Sequence, residues 1–263
     1  MNTMIGIQNE ENFVKALDNK TYSELNKNLQ LFLFYLYPNI DKTMKFHCYM
    51  TENFVKPDIV IHQNQQYRYV SLKYGQAETL HNESIRTFVE FLRDCQISEE
   101  SIETYLLYHY GDGTTDGTGK RRMGSVETRF TYDDRIKKLN EELNSSKSLI
   151  KEFADRVMFQ GVNLQANRAD YIYHGDPDSG VFISREQFMR HVDRKNWSFM
   201  VRCVHIGPFV IRPHARYADR EILNEAHRHT VTVNYPGIVN DLLYIQNRYN
   251  FSNITNQSRM SQM

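Results

Sequence analysis

The chain has 263 residues, 40% of them hydrophobic and 13% aromatic, enough for one large domain or two small ones with a real core. Its 32 basic and 32 acidic residues balance, which excludes a coat of positive charge for nonspecific nucleic-acid binding. The three cysteines, Cys48, Cys95 and Cys203, are too scattered for a disulfide framework or a metal cluster, and the longest apolar run, Leu29 to Leu36, is too short to span a bilayer. A reducing, cytoplasmic setting with no membrane partner is therefore expected, and the polar N-terminal stretch shows no secretory signal.

In chain order, helices are expected over about 9–18 and 21–36. In the second, Leu25, Leu29, Phe32, Leu33 and Leu36 form the buried side and Pro38 ends it. Thr21-Tyr22-Ser23-Glu24 at its start matches a capping box. A strand is expected over 45–50. Pro57-Asp58-Ile59-Val60-Ile61 then puts a carboxylate at the mouth of an apolar strand. After the polar turn 63–66, Tyr67-Arg68-Tyr69-Val70-Ser71-Leu72-Lys73 alternates. Tyr69, Ser71 and Lys73 share one face of that strand, while Val70 and Leu72 share the other. A lysine on a core strand beside an aspartate from its neighbour suits metal-assisted phosphodiester hydrolysis. The carboxylate helps hold Mg²⁺, and the lysine orients the attacking water and offsets developing charge. Taken singly, Asp58 also reads as a turn residue and Lys73 as a side chain snorkelling from a strand end.

Pro57-Asp58 followed by Ser71-Leu72-Lys73 resembles the signature of the PD-(D/E)XK, or restriction-endonuclease-like, nuclease superfamily, over roughly residues 20–110. The resemblance implies an α/β fold whose central mixed sheet is flanked by helices, with a C-terminal α+β extension. It implies a Mg²⁺-dependent endonuclease acting on double-stranded DNA, of restriction or phage-defence type, with a homodimer compatible. Ser71 departs from the pattern, standing where the family has Asp or Glu. Some members carry serine there and supply the acid from the next helix. Here that helix is expected from Asn82 to about Arg93, with Ile85, Phe88, Val89 and Leu92 as its apolar stripe. Glu83 is the first candidate for the displaced acid, with Glu78 and Glu90 behind it. Glu83 reads equally as a first-turn acid after an Asn82 cap. The family also draws a glutamate from the helix before the motif, which makes Glu24 a candidate metal ligand beside its capping role. The expected set is Asp58, Lys73 and Glu83 for catalysis, with Asp58, Glu83 and Glu24 for Mg²⁺. Ser71 equally favours a catalytically silent nucleic-acid-binding module on the same fold. A subunit of a defence complex is the remaining alternative.

Thr104 to Tyr110, aromatic and apolar throughout, is expected to be a buried strand. The Gly-rich stretch 111–122 fails the P-loop spacing: four residues before Gly119-Lys120 lead back to Thr114, and Arg121 follows instead of Ser or Thr. It reads as a flexible loop with a basic tip, Lys120, Arg121 and Arg122, suited to a phosphate backbone, or as a plain exposed connection. A helix over about 133–159, with a break at 144–146, leads to a hairpin at 171–183. Ser184 and Gln187 form a capping box for the next helix. Short strands are expected around 201–204, 209–211 and 231–233, and a last helix at 237–248. Residues 1–110 hold 10 Lys+Arg and 14 Asp+Glu, so the remainder is the basic half. In it, Arg212, His214 and Arg216 alternate on one face of an extended segment. They are candidates for nucleic-acid contact or, alternatively, solvated charges on an edge strand. The histidines match no ordinary zinc spacing. The expected organisation is a nuclease-like core over 1–130, a helical bridge and basic α+β region over 131–250, and a polar tail over 251–263.

Overall fold

The computed structural model describes residues 2–51, 56–75, 79–120, 122–195, 197, 203–214 and 225–260, with backbone alone at 2–5, 225–226 and 250–260. In chain order the first elements are α1 (Asn2–Leu17), β1 (Lys20–Thr21), α2 (Lys27–Leu36), β2 (Lys45–Met50), β3 (Ile59–Gln63), β4 (Gln66–Lys73) and β5 (Thr79–Ser84). Helices α3 (Ile85–Asp94), α4 (Glu99–Tyr110), α5 (Ser125–Thr131), α6 (Asp133–Leu143) and α7 (Lys147–Asp155) follow. The chain closes with β6 (Tyr171–Asp176), β7 (Ser179–Ser184), α8 (Arg185–Arg194), β8 (Val204–Ile206), β9 (Phe209–Pro213), β10 (Thr230–Asn234) and α9 (Ile238–Met260). The architecture is mixed α/β. Two compact units are each assembled from separated segments: 1–77, 158–191 and 237–263 in one, 78–157 and 192–236 in the other. The 130/131 boundary therefore falls inside the second unit.

The first unit holds a six-stranded mixed sheet in the order β1-β2-β3-β4-β6-β7. All neighbours are antiparallel except β4 and β6, which run parallel with Lys73 opposite His174. One face is closed by α1 and α2. Their buried stripes, Phe13 and Leu17 with Leu29, Phe32, Leu33 and Leu36, pack on Ile59, Ile61, Val70, Leu72 and Tyr173. Tyr173 takes Phe13 and Phe32 edge-on at 4.7 and 4.9 Å, an arrangement that suits aromatic quadrupoles. Because Val70 and Leu72 point into this core, the alternation of β4 turns Ser71 and Lys73 to the opposite face.

The second unit holds an antiparallel sheet, β5-β10-β9-β8. Its apolar side chains, Val231, Val233, Ile211, Phe209 and Ile206, are buried, as are Phe88, Tyr105, Leu139 and Phe153 from α3, α4, α6 and α7.

Several local expectations are corrected by long-range structure. Residues 79–84 form a strand, because Asn82 and Glu83 pair with Thr232 and Val231 of β10. The helix starts only after Ser84, whose hydroxyl accepts from the Thr87 N–H at 3.1 Å. Residues 104–110 are helical rather than extended. Ser98 caps α4, Glu99 and Glu100 occupy its first turn, and Gly111 closes it in the left-handed region at φ 61°. Burial on nearly every side of α4 erases the helical period that would have revealed it. Thr21 and Glu24 cap a separate 3₁₀ turn, Tyr22–Glu24, and Asn26 caps α2 by accepting from the Leu29 N–H at 2.8 Å. The break at 144–146 separates α6 from α7, and α9 continues helically through the stretch expected to be a tail, as far as Met260.

The β3–β4 turn is Asn64-Gln65, with φ of 48° and 61°. Both residues are left-handed, as a type I′ hairpin requires, and Gln65 has no side chain suited to that region. Gln65→Gly should therefore raise stability by about 0.5–1 kcal/mol, seen as a higher urea midpoint at unchanged slope.

Candidate active site

Asp58 lies immediately before β3, and its N–H donates to Val70 O at 3.0 Å. The β3–β4 register ends at Ile59 and Val70, so the backbone of β4 runs on past its partner strand. Asp58 fills the gap with its side chain. Its Oδ2 accepts from the Leu72 N–H at 2.6 Å and from the Ser71 hydroxyl at 3.0 Å. Lys73 Nζ stands 3.7 Å from the same oxygen and donates to Leu72 O at 3.1 Å. The Lys73 and Asp58 side chains are mostly shielded, 14% and 19% exposed, which strengthens their attraction over that of a surface pair. Thus Asp58, Ser71 and Lys73 converge, and all three fixed donors or charges address one carboxylate oxygen.

Three further groups belong to this cluster, and none was anticipated. Glu10 of α1 has its pKa raised to about 7, first by burial and then by the negative charge of Asp58, with Lys73 opposing. Lys56, partly buried two residues before Asp58, has its ammonium pushed well below the usual range by burial and then by repulsion from Lys73. His174, opposite Lys73 on β6, is also lowered, chiefly by burial. A sequence signal for Glu10 did exist. It precedes Phe13 by three residues and Leu17 by seven, which places an acid on the buried stripe of a helix.

The other proposed acids are engaged elsewhere. Glu83 sits on β5, and its Oε2 accepts from Arg156 at 2.6 Å while His81 lies 3.4 Å from Oε1. Burial would raise its pKa, but the hydrogen bonds from His81 and Arg156 outweigh that and hold it below the usual value. Glu24 is exposed, and its Oε2 accepts from Thr21 N and Oγ1 at 2.7 and 2.8 Å. Those bonds lower its pKa and account for it as a cap. Glu78 lies outside the described residues, and Glu90 pairs with Arg86 on the outer side of α3.

Among the basic candidates, Lys120 is exposed, while Arg121 and Arg216 lie outside the described residues. Arg122 does not form an exposed tip: it is 5% exposed and its Nε donates to Tyr110 O at 3.2 Å. The loop before it is tied together rather than slack. The carboxylate of Asp112 accepts from Thr114 N and Oγ1, Gly119 N and Arg228 at 2.8–3.1 Å. Arg212 on β9 and His214 just beyond it are both exposed on one face of the second sheet.

The acids fit a hard divalent cation that takes one or two carboxylates and completes its shell with water and phosphate oxygen. No group of three or more His, Cys, Asp or Glu side chains poised for a metal occurs among the described residues; the acids that could hold such a cation are Asp58 and Glu10, whose charges act on one another. Burial first, and the Asp58 charge second, drive the Glu10 carboxyl up to about 7, and an adjacent cation would relieve the second of these.

The chain matches no protein-family model, and no curated protein is significantly similar to it. Its structure is similar to that of restriction endonuclease MspI in complex with its cognate DNA, at a TM-score of 0.42 and 11% identity, over 87% of this chain and 88% of that one.

Two outcomes follow from these environments. Glu10 has a folded pKa above its ordinary 4.5, so the folded state binds the proton more tightly and stability falls as pH rises from about 4.5 to about 7. Glu10→Gln should flatten that fall and raise the melting temperature at pH 8, as measured by calorimetry across this range. Glu83→Ala should cost about 3–5 kcal/mol in chemical denaturation, because it leaves Arg156 charged and buried without its partner.

Proposed function

We propose that the first unit carries a Mg²⁺-dependent endonuclease centre that cleaves double-stranded DNA, of restriction or phage-defence type, in the cytoplasm. The observation that carries this reading is the convergence of Ser71, Leu72 N–H and Lys73 on Oδ2 of Asp58, with Glu10 within reach of the same charges. The order Pro57-Asp58 and Ser71-Leu72-Lys73 along a hairpin supports it. No described helix is long and apolar enough to cross a membrane.

Each side chain has a distinct task. Asp58 and Glu10 would hold the Mg²⁺, which when bound polarises the phosphate and makes its water more acidic. Ser71 replaces the family's second acid as a positioning residue. It adds no charge, but its hydrogen bond fixes the rotamer of Asp58. Glu10, from a helix on the far side of the sequence motif, restores the missing negative charge. Lys73 donates to Leu72 O and neutralises charge on the scissile phosphate as the attacking oxygen approaches. Lys56 adds a second amine beside the same aspartate, and its lowered pKa makes it easier to deprotonate than an ordinary lysine.

The alternative is a silent nucleic-acid-binding module on the same scaffold, favoured by the serine at position 71. Supercoiled plasmid incubated with the protein and Mg²⁺, with and without chelator, separates the two. Nicking that chelator abolishes is expected. Asp58→Ala, Lys73→Ala and Glu10→Gln should each lower its rate by on the order of 10²–10³-fold, because each removes charge used mainly in the transition state. Glu24→Gln should leave the rate within about threefold, since a surface cap affects stability by about 1 kcal/mol and touches no reacting group. Full activity in both Asp58→Ala and Lys73→Ala would move the centre elsewhere.

A further inference from the structure

The antiparallel sheet of the second unit has one apolar face and one polar face. Register places Asn82 of β5, Thr232 of β10 and Arg212 of β9 side by side in one cross-strand row. Ser84, Thr230 and His214 form the next row, with His214 N–H donating to Thr230 O at 2.9 Å. Asn82, Ser84, Arg212 and His214 are exposed, so this is an open surface.

The hydrogen bonds in that surface fix what it offers. The Thr232 hydroxyl donates its only hydrogen to Asn82 Oδ1 at 2.8 Å. The 2.9 Å contact between Thr232 Oγ1 and His214 Nδ1 must then run the other way, with Nδ1–H of His214 as donor. The chain His214→Thr232→Asn82 turns the Asn82 carbonyl toward Thr232 and leaves its Nδ2 amide with no hydrogen-bond partner among the described residues. On the other side of Thr232, Arg212 presents five N–H donors and no acceptor. His227 braces His214 edge-on at 4.7 Å. Burial, His227 and Arg212 all lower the His214 pKa, so the ring is neutral near pH 7, in keeping with a single proton on Nδ1.

We infer that this polar face reads the acceptor edge of guanine in the major groove of DNA, with Arg212 as the bidentate donor to O6 and N7 and Asn82, across β10 and held by Thr232, as the donor to an acceptor on a neighbouring base. Guanine presents two acceptors to the major groove, whereas adenine pairs an acceptor with a donor and cytosine presents a donor. Asn82 reads adenine well only by offering Oδ1 and Nδ2 together, and one of the two lone pairs of Oδ1 is already held by Thr232. The inference rests on the nuclease reading of the first unit for its ligand class, and supplies the specificity that such a centre lacks by itself. A bare phosphate contact by Arg212 is the competing use of the same donors.

The test uses the Asp58→Asn protein in Mg²⁺ to select bound duplexes from a randomised pool. Enrichment of a motif with an invariant guanine is expected. Replacing that guanine by 7-deazaguanine should weaken binding on the order of 10-fold, and Arg212→Ala should remove the preference at that position while affecting unselected duplexes far less. Asn82→Asp, which exchanges the outward donor for an acceptor, should disfavour guanine at its neighbour position. The inference is overturned if no guanine is enriched, or if Arg212→Ala and Asn82→Asp both keep the wild-type motif. It is also overturned if Arg212→Ala weakens every duplex equally with a shallower salt dependence, the signature of a phosphate contact. Wild-type nicking of plasmids with and without the motif keeps the two ideas apart. Selection without nicking counts against the nuclease centre alone, and nicking without selection counts against the reading face alone.

Discussion

One carboxylate oxygen, Oδ2 of Asp58, organises one end of the central sheet. Strand β4 outruns strand β3, and the exposed end of a ladder would leave the Leu72 N–H without a partner. Asp58 supplies that partner from its side chain at 2.6 Å, and the same oxygen then receives Ser71 and faces Lys73. A half-buried carboxylate loses part of its hydration and needs donors in exchange. This one keeps its place through two hydrogen bonds and a nearby ammonium. The consequence is felt on α1, where Glu10 is left with burial and a like charge and titrates near neutrality. The strand stagger that demands Asp58 also gathers the charges on which the proposed phosphodiester chemistry depends.

The serine at position 71 changes meaning in this setting. As a metal ligand it is deficient, since a hydroxyl adds no charge. As a donor to Asp58 it is well suited, because an acid at that position, 3.0 Å from Oδ2, would repel the aspartate whenever the cation is absent. With the second acid on a helix and its pKa raised, the two carboxyls tolerate each other without a cation; in the proposed reading a Mg²⁺ ion held here would take the place of the Glu10 proton.

Much of this was legible in the sequence, and the failures share a physical origin. The hairpin carrying Asp58 and Lys73 was readable because its signals are local: alternation, a polar turn and apolar runs. The capping box at Ser184 and Gln187 was readable for the same reason. Strand β5 was not, because what makes it a strand is pairing with β10, about 150 residues later. That error placed Glu83 on a helix and made it a candidate, when it is the buried partner of Arg156. Helix α4 was misread because burial on nearly all sides hides its period. Glu10 was overlooked because its importance lies in what its helix packs against, although its place on the Phe13–Leu17 stripe marked it as unusual. Arg122 shows the reverse failure: a basic cluster in sequence need not be a basic surface, since a backbone carbonyl can draw one member inward.

The central claim is that Glu10 and Asp58 form a cation site whose electrostatics are strained without the metal. The most direct measurement is an NMR titration of the Glu10 side-chain carboxyl, with and without Mg²⁺. The account predicts a midpoint near 7 in the metal-free protein that falls below about 5 when Mg²⁺ saturates, with no such response in Asp58→Asn. A metal-free midpoint near the ordinary 4.5, or a raised midpoint that Mg²⁺ leaves unmoved, would contradict it.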